Sequence, residues 1–485
     1  MKKYEHAFGK NDIRGIYGED ITEEIFYYTG RAFVEYLKKQ ASKKTEAIWI
    51  TVTRDARTHS PSLAKSLIEG ITSTGANVVD LGLAPTPIGY YSEVAGVPSQ
   101  ITCGEKILGA MIITASHNPK EYNGMKMTYA GRTLNEAQIK EVKELAFKEL
   151  SEKQAEAVTG KIVEYNIIPD YIDDMKKRFG TIGKGIKVVV DSANATGGVV
   201  GPQLYRELGC EVIELFSAPD GNFPNHHPNP SDLKTLKVIE ETVLENNADV
   251  GIAYDGDSDR IGVITPDGKP LTGDKLLLIY AQDLLNEIDN KDKLTVVSEV
   301  KCSQVLFDSI NNAGGHAVMC KTGHGYIKDK MKETNALLAG EMSGHTFFKD
   351  KYYGFDDAIY AGCRIIEIIA KNKKTNPNFK LQEMLKPFDA VCSSDEVRFP
   401  CPNEKKKETM EKFKECVECN KNLFGSDIKE IITLDGMRIT FDGGFALIRQ
   451  SNTEPVFTLR FEGKTKDDCE RYKNCMIKTL ENILK

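Results

Sequence analysis

The feature that most constrains this chain is one local pattern that occurs three times: an apolar run that ends directly in a polar loop. Helix-like segments separate the three runs, and this alternation is typical of α/β folds with parallel or mixed sheets. In open α/β sheets, ligands bind beyond the carboxyl ends of the strands. The pattern therefore predicts three successive α/β units whose loops share one cleft. The runs and loops are AMIIT–ASHNP (110–119), DVGIAY–DGDSD (249–259) and ALLAG–EMSGH (336–345).

The chain length and two further segments predict the domain organisation. A chain of 485 residues has room for three or four domains at about 100–200 residues each. A long charged helix around 134–156 closes the first domain, and the Lys-, Asn- and Pro-rich stretch 372–385 is typical of a linker. We predict three consecutive α/β domains with mixed sheets and a smaller C-terminal α+β domain. The predicted ranges are 1–157, 158–268, 269–384 and 385–485.

Composition excludes several classes of protein. Hydrophobic residues make up 40% and charged residues 28% of the chain, as in ordinary globular proteins. The net charge is −7 with no basic block, which argues against nucleic-acid binding. No apolar run approaches the roughly 18 residues of a membrane span, and the N-terminus lacks an apolar signal segment. We therefore expect a cytoplasmic protein that binds neither nucleic acid nor membrane.

The first polar loop, Thr114–Pro119, contains a serine suited to carrying a phosphate. Asn118-Pro119 forces a turn, and Pro119 can open a helix at its first position. Ser116 would then lie near free backbone amides, which bind phosphate well. The alternative is a capped turn without chemistry.

The second polar loop places carboxylates at alternate positions. Asp255, Asp257 and Asp259 can supply the oxygen ligands that Mg²⁺ prefers, and without a cation they would repel one another. The spacing does not fit an EF-hand, because Arg260 and Pro266 stand where that motif needs Gly and Glu. A solvated acidic turn is the alternative.

Two later loops combine polar groups that suit a sugar phosphate. Gly340–His345 offers a carboxylate, a hydroxyl and an imidazole, which can hold sugar hydroxyls and move protons. Arg449–Pro455 joins an arginine to two hydroxyls and an amide, which suits a phosphate. A helix cap and a plain hairpin loop are the respective alternatives. Asn222–Pro230, with adjacent histidines, is interpreted as a structural loop.

Taken together and in this order, the four loops strongly resemble those of the α-D-phosphohexomutase superfamily. The resemblance covers nearly the whole chain, and the Glu-Met-Ser-Gly-His loop is similar to that of the phosphomannomutase/phosphoglucomutase branch. Asn11 departs from the family, which often has an aromatic residue there. The further matching segments are DIRG (12–15), RDAR (54–57), NGMK (123–126), HHPNP (226–230) and KTGHG (321–325).

The resemblance implies four domains around a central cleft and a role for each matching residue. Ser116 would carry the catalytic phosphate and, with the three aspartates, hold Mg²⁺. The implied catalytic residues are Ser116, Arg14, His117, Lys126, His324 and His345. The implied substrate-binding residues are Lys321, Glu341, Ser343, Arg449, Ser451, Asn452 and Thr453. The implied metal ligands are Ser116, Asp255, Asp257 and Asp259.

The implied activity is that of an isomerase that interconverts hexose 1-phosphate and hexose 6-phosphate, of mannose and/or glucose. It would proceed through phospho-Ser116 and a hexose 1,6-bisphosphate, as a monomer or weak homodimer. Two alternatives stay open at this point. One is an aspartyl-phosphate phosphatase with Asp255 as nucleophile, and the other is a non-catalytic sugar-phosphate binder.

Overall fold

The computed structural model describes residues 4–10, 12–152, 159–451 and 454–485. The chain divides into two compact units. The first unit comprises Met1–Leu271, Gly344–Thr346 and Phe355–Lys380, and the second comprises Thr272–Ser343, Phe347–Gly354 and Leu381–Lys485.

The first sheet, in the first unit, has the strand order β1-β5-β4-β2-β3-β7, with β6 paired to β5. Strands β4, β2, β3 and β7 run parallel, whereas β1 and β5 are antiparallel to their neighbours. The strands are β1 Ile13–Ile16, β2 Trp49–Arg54, β3 Asn77–Leu83, β4 Ile107–Ile113, β5 Tyr122–Tyr129, β6 Arg132–Thr133 and β7 Ile162–Glu164. The helices are α1 Glu23–Ala41, α2 Ser60–Thr72, α3 Thr86–Val94, α4 Glu136–Glu152 and α5 Ile168–Phe179.

The second sheet, also in the first unit, has the order β11-β10-β8-β9. Its central strands are continuous runs of buried β-branched and small residues, as expected for parallel strands covered on both faces. Only β11 is antiparallel. The elements are β8 Lys187–Asp191, α6 Gly201–Glu207, β9 Glu211–Leu215, α7 Lys237–Glu245, β10 Val250–Tyr254 and β11 Ile261–Ile264.

The third sheet has the order β13-β12-β14-β15, and β12 pairs in parallel with both β13 and β14. The elements of this part of the chain are α8 Gly273–Glu287, β12 Thr295–Glu299, α9 Gln304–Asn312, β13 His316–Cys320, α10 His324–Thr334, β14 Leu338–Gly340, β15 Thr346–Phe348 and α11 Ala358–Thr375. Helix α11 belongs to the first unit.

The C-terminal sheet, in the second unit, is antiparallel in the order β16-β21-β20-β19-β18, with β17 paired to β21. Two helices cover it around an aromatic-rich core that includes Phe413, Phe461 and Tyr472. The elements are β16 Cys392–Ser393, β17 Val397–Pro400, α12 Lys406–Cys419, β18 Glu430–Ile432, β19 Met437–Phe441, β20 Gly444–Gln450, β21 Val456–Gly463 and α13 Lys466–Leu484. Short 3₁₀ helices cover Thr45–Ala47, Thr196–Val199, Leu233–Leu236, Lys291–Lys293, Leu381–Ala390 and Asn403–Lys405.

The predicted fold class is confirmed, and the boundary between the two compact units, between Lys380 and Leu381, falls inside the predicted linker 372–385. Part of that segment is nevertheless helical. Helix α11 continues to Thr375, because Lys373 and Lys374 suit the negative end of a helix, and a 3₁₀ helix begins at Leu381. The predicted helix around 134–156 is α4, and its last predicted residues lie outside the described part of the chain. The four domain ranges stay predictions. Within the described residues, no helix is both long and apolar enough to cross a membrane.

Candidate active site

Ser116 follows β4 in a strained turn of the first unit. Its φ of 49° is in the left-handed region, which costs free energy for a residue with a side chain, and the residue is 2% exposed. The Oγ donates to Asp255 Oδ2 at 2.8 Å and lies 3.0 Å from His117 Nδ1. The helix predicted at Pro119 is wrong: a turn leads directly to β5. The serine is therefore aimed at the acidic loop by a tight turn.

A buried arginine holds this turn in place. All five N–H donors of Arg57 are used: Nε pairs with Asp55, and the two Nη atoms donate to four backbone carbonyls at 2.6–3.1 Å. The four carbonyls belong to Ser116, Asn118, Pro119 and Tyr122. Arg57 thus satisfies the backbone carbonyl groups of this turn. Sequence reasoning quoted its RDAR segment but did not place it at the site.

The acidic loop approaches Ser116 because Gly256 allows it. A Cβ on Gly256 would lie 2.3 Å from the Ser116 carbonyl oxygen, so a side chain there would force the two loops apart. The carboxylates of Asp255, Asp257 and Asp259 are fully buried, and their candidate ligand atoms all lie within 4.8 Å of one another. The D-G-D-S-D pattern therefore produces the predicted cluster.

Each carboxylate of the cluster has a different partner. Asp257 accepts a hydrogen bond from Thr86 Oγ1 at 2.6 Å. Asp259 accepts one from Lys126 Nζ at 3.0 Å, and His345 Nε2 lies 3.2 Å from its other oxygen. These contacts bring Lys126 and His345 to the site, as predicted from the resemblance.

The electrostatics of the cluster fit a cation. Burial and the neighbouring negative charges raise the pKa of Asp255 and Asp257 above the ordinary range. Burial opposes ionisation of Asp259 too, but Lys126 and His345 hold its pKa well below the usual value. Among the described residues, Asp257 Oδ1 is buried without a hydrogen-bond partner. Oxygen ligands, crowded negative charge and an orphaned buried oxygen together suit a hard divalent cation.

Two arginines place positive charge beside Ser116. Arg14 donates to Asn118 Oδ1 at 2.9 Å and pairs with Asp12. Arg260 Nε lies 3.3 Å from His345 Nε2, and Arg260 Nη1 lies 3.5 Å from His117 Nε2. The positive charge of Arg260, together with burial, lowers the pKa of His117. The sequence did not single out Arg260 and Asp12 as site residues, although Asp12 begins the DIRG segment and Arg260 directly follows Asp259.

The remaining predicted site residues lie in the second unit, and several meet around the loop 321–325. Glu341, 3% exposed, accepts a hydrogen bond from Gly323 N at 2.7 Å. Lys321 is exposed, with Nζ 5.7 Å from the centre of the Tyr326 ring, whereas His324 and Ser343 are half-buried. This loop therefore contacts the Glu-Met-Ser-Gly-His segment, as sequence order alone could not show.

Arg449 also reaches the loop 321–325, through a residue that the sequence analysis missed. Its Nε donates to Asp435 Oδ2 at 2.9 Å, and the same oxygen accepts from Thr322 N at 3.1 Å. Ser451 Oγ accepts from Glu454 N at 3.1 Å, which shapes the turn before β21. Asn11, Asn452 and Thr453 lie outside the described residues.

Comparison with known proteins decides the family. Family models for phosphoglucomutase/phosphomannomutase match all along the chain: alpha/beta/alpha domain I at residues 5–153, domain II at 169–268, domain III at 272–388 and the C-terminal domain at 396–478.

The chain belongs to the phosphoglucomutase/phosphomannomutase family.

Individual members of this family resemble the chain over almost its full length. A phosphomannomutase/phosphoglucomutase of Pseudomonas aeruginosa is 37% identical over 476 residues, covering 98% of this chain and 96% of that protein. A phosphoglucomutase of Neisseria gonorrhoeae is 38% identical over 467 residues, covering 96% and 95%. The crystal structure of a family protein from Burkholderia thailandensis superposes with a TM-score of 0.86 at 33% identity, covering 99% and 97% of the two chains.

Family membership confirms the prediction of a phosphohexomutase, an isomerase of carbohydrate metabolism. It gives no support to the phosphatase or to the non-catalytic binder. The buried triad of aspartates is a metal-binding site by geometry and charge.

Proposed function

We propose that this phosphohexomutase interconverts the 1-phosphates and 6-phosphates of glucose and mannose through phosphorylated Ser116 and a hexose 1,6-bisphosphate. The observation that carries the proposal is the Ser116 hydroxyl, held 2.8 Å from Asp255 in a buried, strained turn. The names of the relatives, which include both sugars, support the pair of substrates.

The first step transfers phosphate from Ser116 to the sugar. The bond from phosphorus to Ser116 Oγ breaks while a bond forms to the free hydroxyl oxygen of a hexose phosphate. The proton of that hydroxyl is passed on by the proton-moving side chains assigned below, and Ser116 Oγ takes up a proton in return. The reverse step, on the other phosphate of the bisphosphate, restores the phosphoserine and releases the isomer. Phosphoryl transfer depends mainly on positioning and charge, and the fixed turn around Ser116 supplies the positioning.

The charged groups around Ser116 have complementary tasks. Lys126 has its pKa raised well above the ordinary value, because Asp259 and its neighbours outweigh the effect of burial, so it stays cationic. Arg14 and Lys126 would stabilise negative charge on the transferring group. His117 and His345 in the first unit, and His324 in the second, are the imidazoles that we assign to proton movement.

The metal of the site would be Mg²⁺, held by Asp255, Asp257, Asp259 and an oxygen of phosphorylated Ser116. When bound, such a cation neutralises charge on the phosphoryl group and polarises it. The three aspartates fit this ion by their oxygen ligands and by their burial. Thr86 and Lys126 orient two of them, so the donors are preorganised.

The second unit would recognise the substrate. We assign Glu341 and Ser343 to the sugar hydroxyls, and we assign Lys321, Arg449, Ser451, Asn452 and Thr453 to the phosphate that is not reacting. Bidentate arginine contacts make Arg449 the principal phosphate ligand of this set. We further propose a cytoplasmic monomer or weak homodimer with the domain ranges given above.

An assay of both sugars tests the function. Glucose 1-phosphate and mannose 1-phosphate are converted with Mg²⁺ and a trace of glucose 1,6-bisphosphate, and the 6-phosphates are measured. We expect turnover of both, with radiolabel from the bisphosphate recovered on Ser116. Label on Asp255 would instead support a phosphatase, and binding of hexose phosphate without turnover would support a non-catalytic binder.

A further inference from the structure

Asp435 connects two candidate substrate-binding segments that are far apart in the sequence. It lies in the turn between β18 and β19, and its side chain is 21% exposed. One carboxylate oxygen, Oδ2, accepts both from Arg449 Nε and from the backbone N–H of Thr322. A single oxygen therefore holds both the Arg449 side chain, on β20 of the C-terminal sheet, and the loop 321–325, which follows β13 of the third sheet.

The turn that carries Asp435 is built to lie against Arg449. Gly436 has a φ of +81°, and a Cβ there would lie 2.2 Å from the Ile448 carbonyl oxygen and 2.7 Å from the Cα of Arg449. Both its conformation and its space thus require glycine. This close packing, independent of the hydrogen bonds, places the Asp435 carboxylate beside the guanidinium group.

The loop on the other side of Asp435 is held by two more carboxylates. Thr322 Oγ1 donates to Glu299, which is fully buried, and Gly323 N donates to Glu341 Oε1 at 2.7 Å. The consecutive N–H groups of Thr322 and Gly323 therefore point to Asp435 and to Glu341. A shift of Asp435 would move this loop and, through it, the carboxylate assigned to the sugar.

We propose that Asp435 is a positioning residue that couples binding of a phosphate at Arg449 to the placement of the loop 321–325 and Glu341. The proposal rests on the proposed function for the identity of the substrate. Because Asp435 engages Nε, the edge of the guanidinium formed by its terminal nitrogens is the one turned to a bidentate phosphate. Binding of a phosphate at Arg449 then also positions the carboxylate of Glu341, which we assign to the sugar.

Steady-state kinetics separate coupling from simple affinity. A residue that only oriented Arg449 for phosphate binding would change KM alone. A residue that also positions Glu341 would affect kcat. We expect Asp435→Ala to lower kcat for both sugar phosphates by about 10- to 100-fold, from loss of the ion pair with Arg449 and of the charge-assisted hydrogen bond from Thr322 N. Asp435→Asn keeps an acceptor oxygen and should restore most of kcat. An unchanged kcat in Asp435→Ala would overturn the proposal.

Hydrogen exchange tests the coupling without turnover. Inorganic phosphate is the probe, and exchange is measured in peptides that cover residues 321–325. We expect phosphate to slow exchange there in the wild type but in neither Asp435→Ala nor Arg449→Ala. Asp442→Ala is the matched control, because Asp442 binds Lys429 and Lys464 at the opposite end of β19.

The outcomes distinguish this inference from the proposed function. Equal protection by phosphate in the wild type and Asp435→Ala, or no protection in the wild type, would overturn the coupling. A wild-type enzyme without turnover of hexose phosphates would overturn the proposed function and leave the exchange result to stand by itself. If Asp435→Ala does not fold, as judged by its melting curve, Asp435→Asn carries the test, with a partial loss of protection expected and full protection contradicting it.

Discussion

The candidate residues around Ser116 and those around Arg449 differ in how deeply some of their charged side chains are buried. Around Ser116, three carboxylates are fully buried and an arginine has all its donors used inside the protein. Around Arg449, the side chains of Arg449 and Asp435 are 12% and 21% exposed and Lys321 is exposed, whereas Glu341 and Glu299 are buried. Charges in a dry site interact strongly and demand complete partners, whereas exposed charges are screened. The contrast is therefore between the buried carboxylate cluster and the partly exposed Arg449–Asp435 pair, and it fits the roles in chemistry and in substrate capture that we propose for them.

The same contrast holds for carboxylates that belong to neither group. Burial raises the pKa of Glu93, in the first unit, to about 7. Asp442, in the second unit, has its pKa lowered to about 2 by hydrogen bonds from Lys464 and Lys429. Burial therefore determines the pKa shift of Glu93, whereas the lysine partners determine that of Asp442. We therefore expect substitutions around Ser116 to have the largest effects on rate, and substitutions in the second unit to have moderate effects, on KM at Arg449 and on kcat at Asp435.

The largest effect is expected for Ser116→Ala. Without the hydroxyl no phosphate can be carried, so mutase activity should fall by more than about a thousandfold. Ser192→Ala is the matched control, since Ser192 is also buried beyond a strand end of the first unit. Activity is measured with both sugar phosphates, and melting curves check the fold. Activity of Ser116→Ala within tenfold of the wild type would rule out the phosphoserine.

The next effect in size is expected for Asp257→Asn. The variant loses one of three anionic ligands, so turnover should fall by about two or more orders of magnitude and saturation should need more Mg²⁺. Removal of one of three repelling charges should not lower the melting temperature in a chelator, but the rise on adding Mg²⁺ should shrink. Asp232→Asn, which changes only a helix cap, is the control. An unchanged Mg²⁺ titration would contradict the metal assignment.

A moderate effect is expected for Arg449→Ala. Charge-assisted contacts to phosphate are worth about 1.5–3 kcal/mol, so KM should rise roughly 10- to 150-fold for both the 1-phosphate and the 6-phosphate. The control is Arg398→Ala, on strand β17, which pairs with β21 as β20 does; Arg398 forms an ion pair with Glu454. If Arg449 only stabilises its hairpin, KM will hardly move while the melting temperature falls.

These residues show which parts of the site sequence reasoning could reach. Ser116 and Asp255 follow apolar strands directly, and that local pattern was enough to predict both the loops and the cluster. Arg57 contacts backbone carbonyl groups 59 or more positions away, and Asp435 joins Arg449 to Thr322, which lies 113 positions from it. No periodicity reports such contacts. Nor does the local pattern at Pro119 show that a turn held by the distant Arg57 stands there in place of the predicted helix.

The fold was predictable to a similar degree. Buried β-branched runs such as β8 and β10 reveal parallel strands, because a strand covered on both faces has no polar side. At 372–385, composition located the segment that contains the boundary between the two compact units, but not the end of α11, whose last turn includes Lys373 and Lys374. Helix ends and linkers use the same polar residues, so only the packing of α11 decides between them.

The smallest effect is expected for Glu93→Gln, which tests the cost of burying a carboxylate in the first unit away from the cation site. Glu93 accepts hydrogen bonds from Thr128 Oγ1 at 2.5 Å and Gly131 N at 2.6 Å, and burial raises its pKa from 4.5 to about 7. The folded state then binds the proton more tightly than the unfolded state does. The stability from this group is complete below pH 4.5 and is lost as the pH rises through 7.

The full difference in the free energy of unfolding corresponds to about 3 kcal/mol at most. Gln is neutral at every pH, so Glu93→Gln should recover about 1 kcal/mol at pH 8. Unfolding of the variant at pH 8 should therefore occur about 2 °C above the wild type, with equal midpoints near pH 5. Glu69→Gln, at an exposed position of α2, should follow the wild type at both pH values. Parallel pH curves for Glu93→Gln and the wild type would show that partial exposure and the two hydrogen bonds already offset the burial of Glu93.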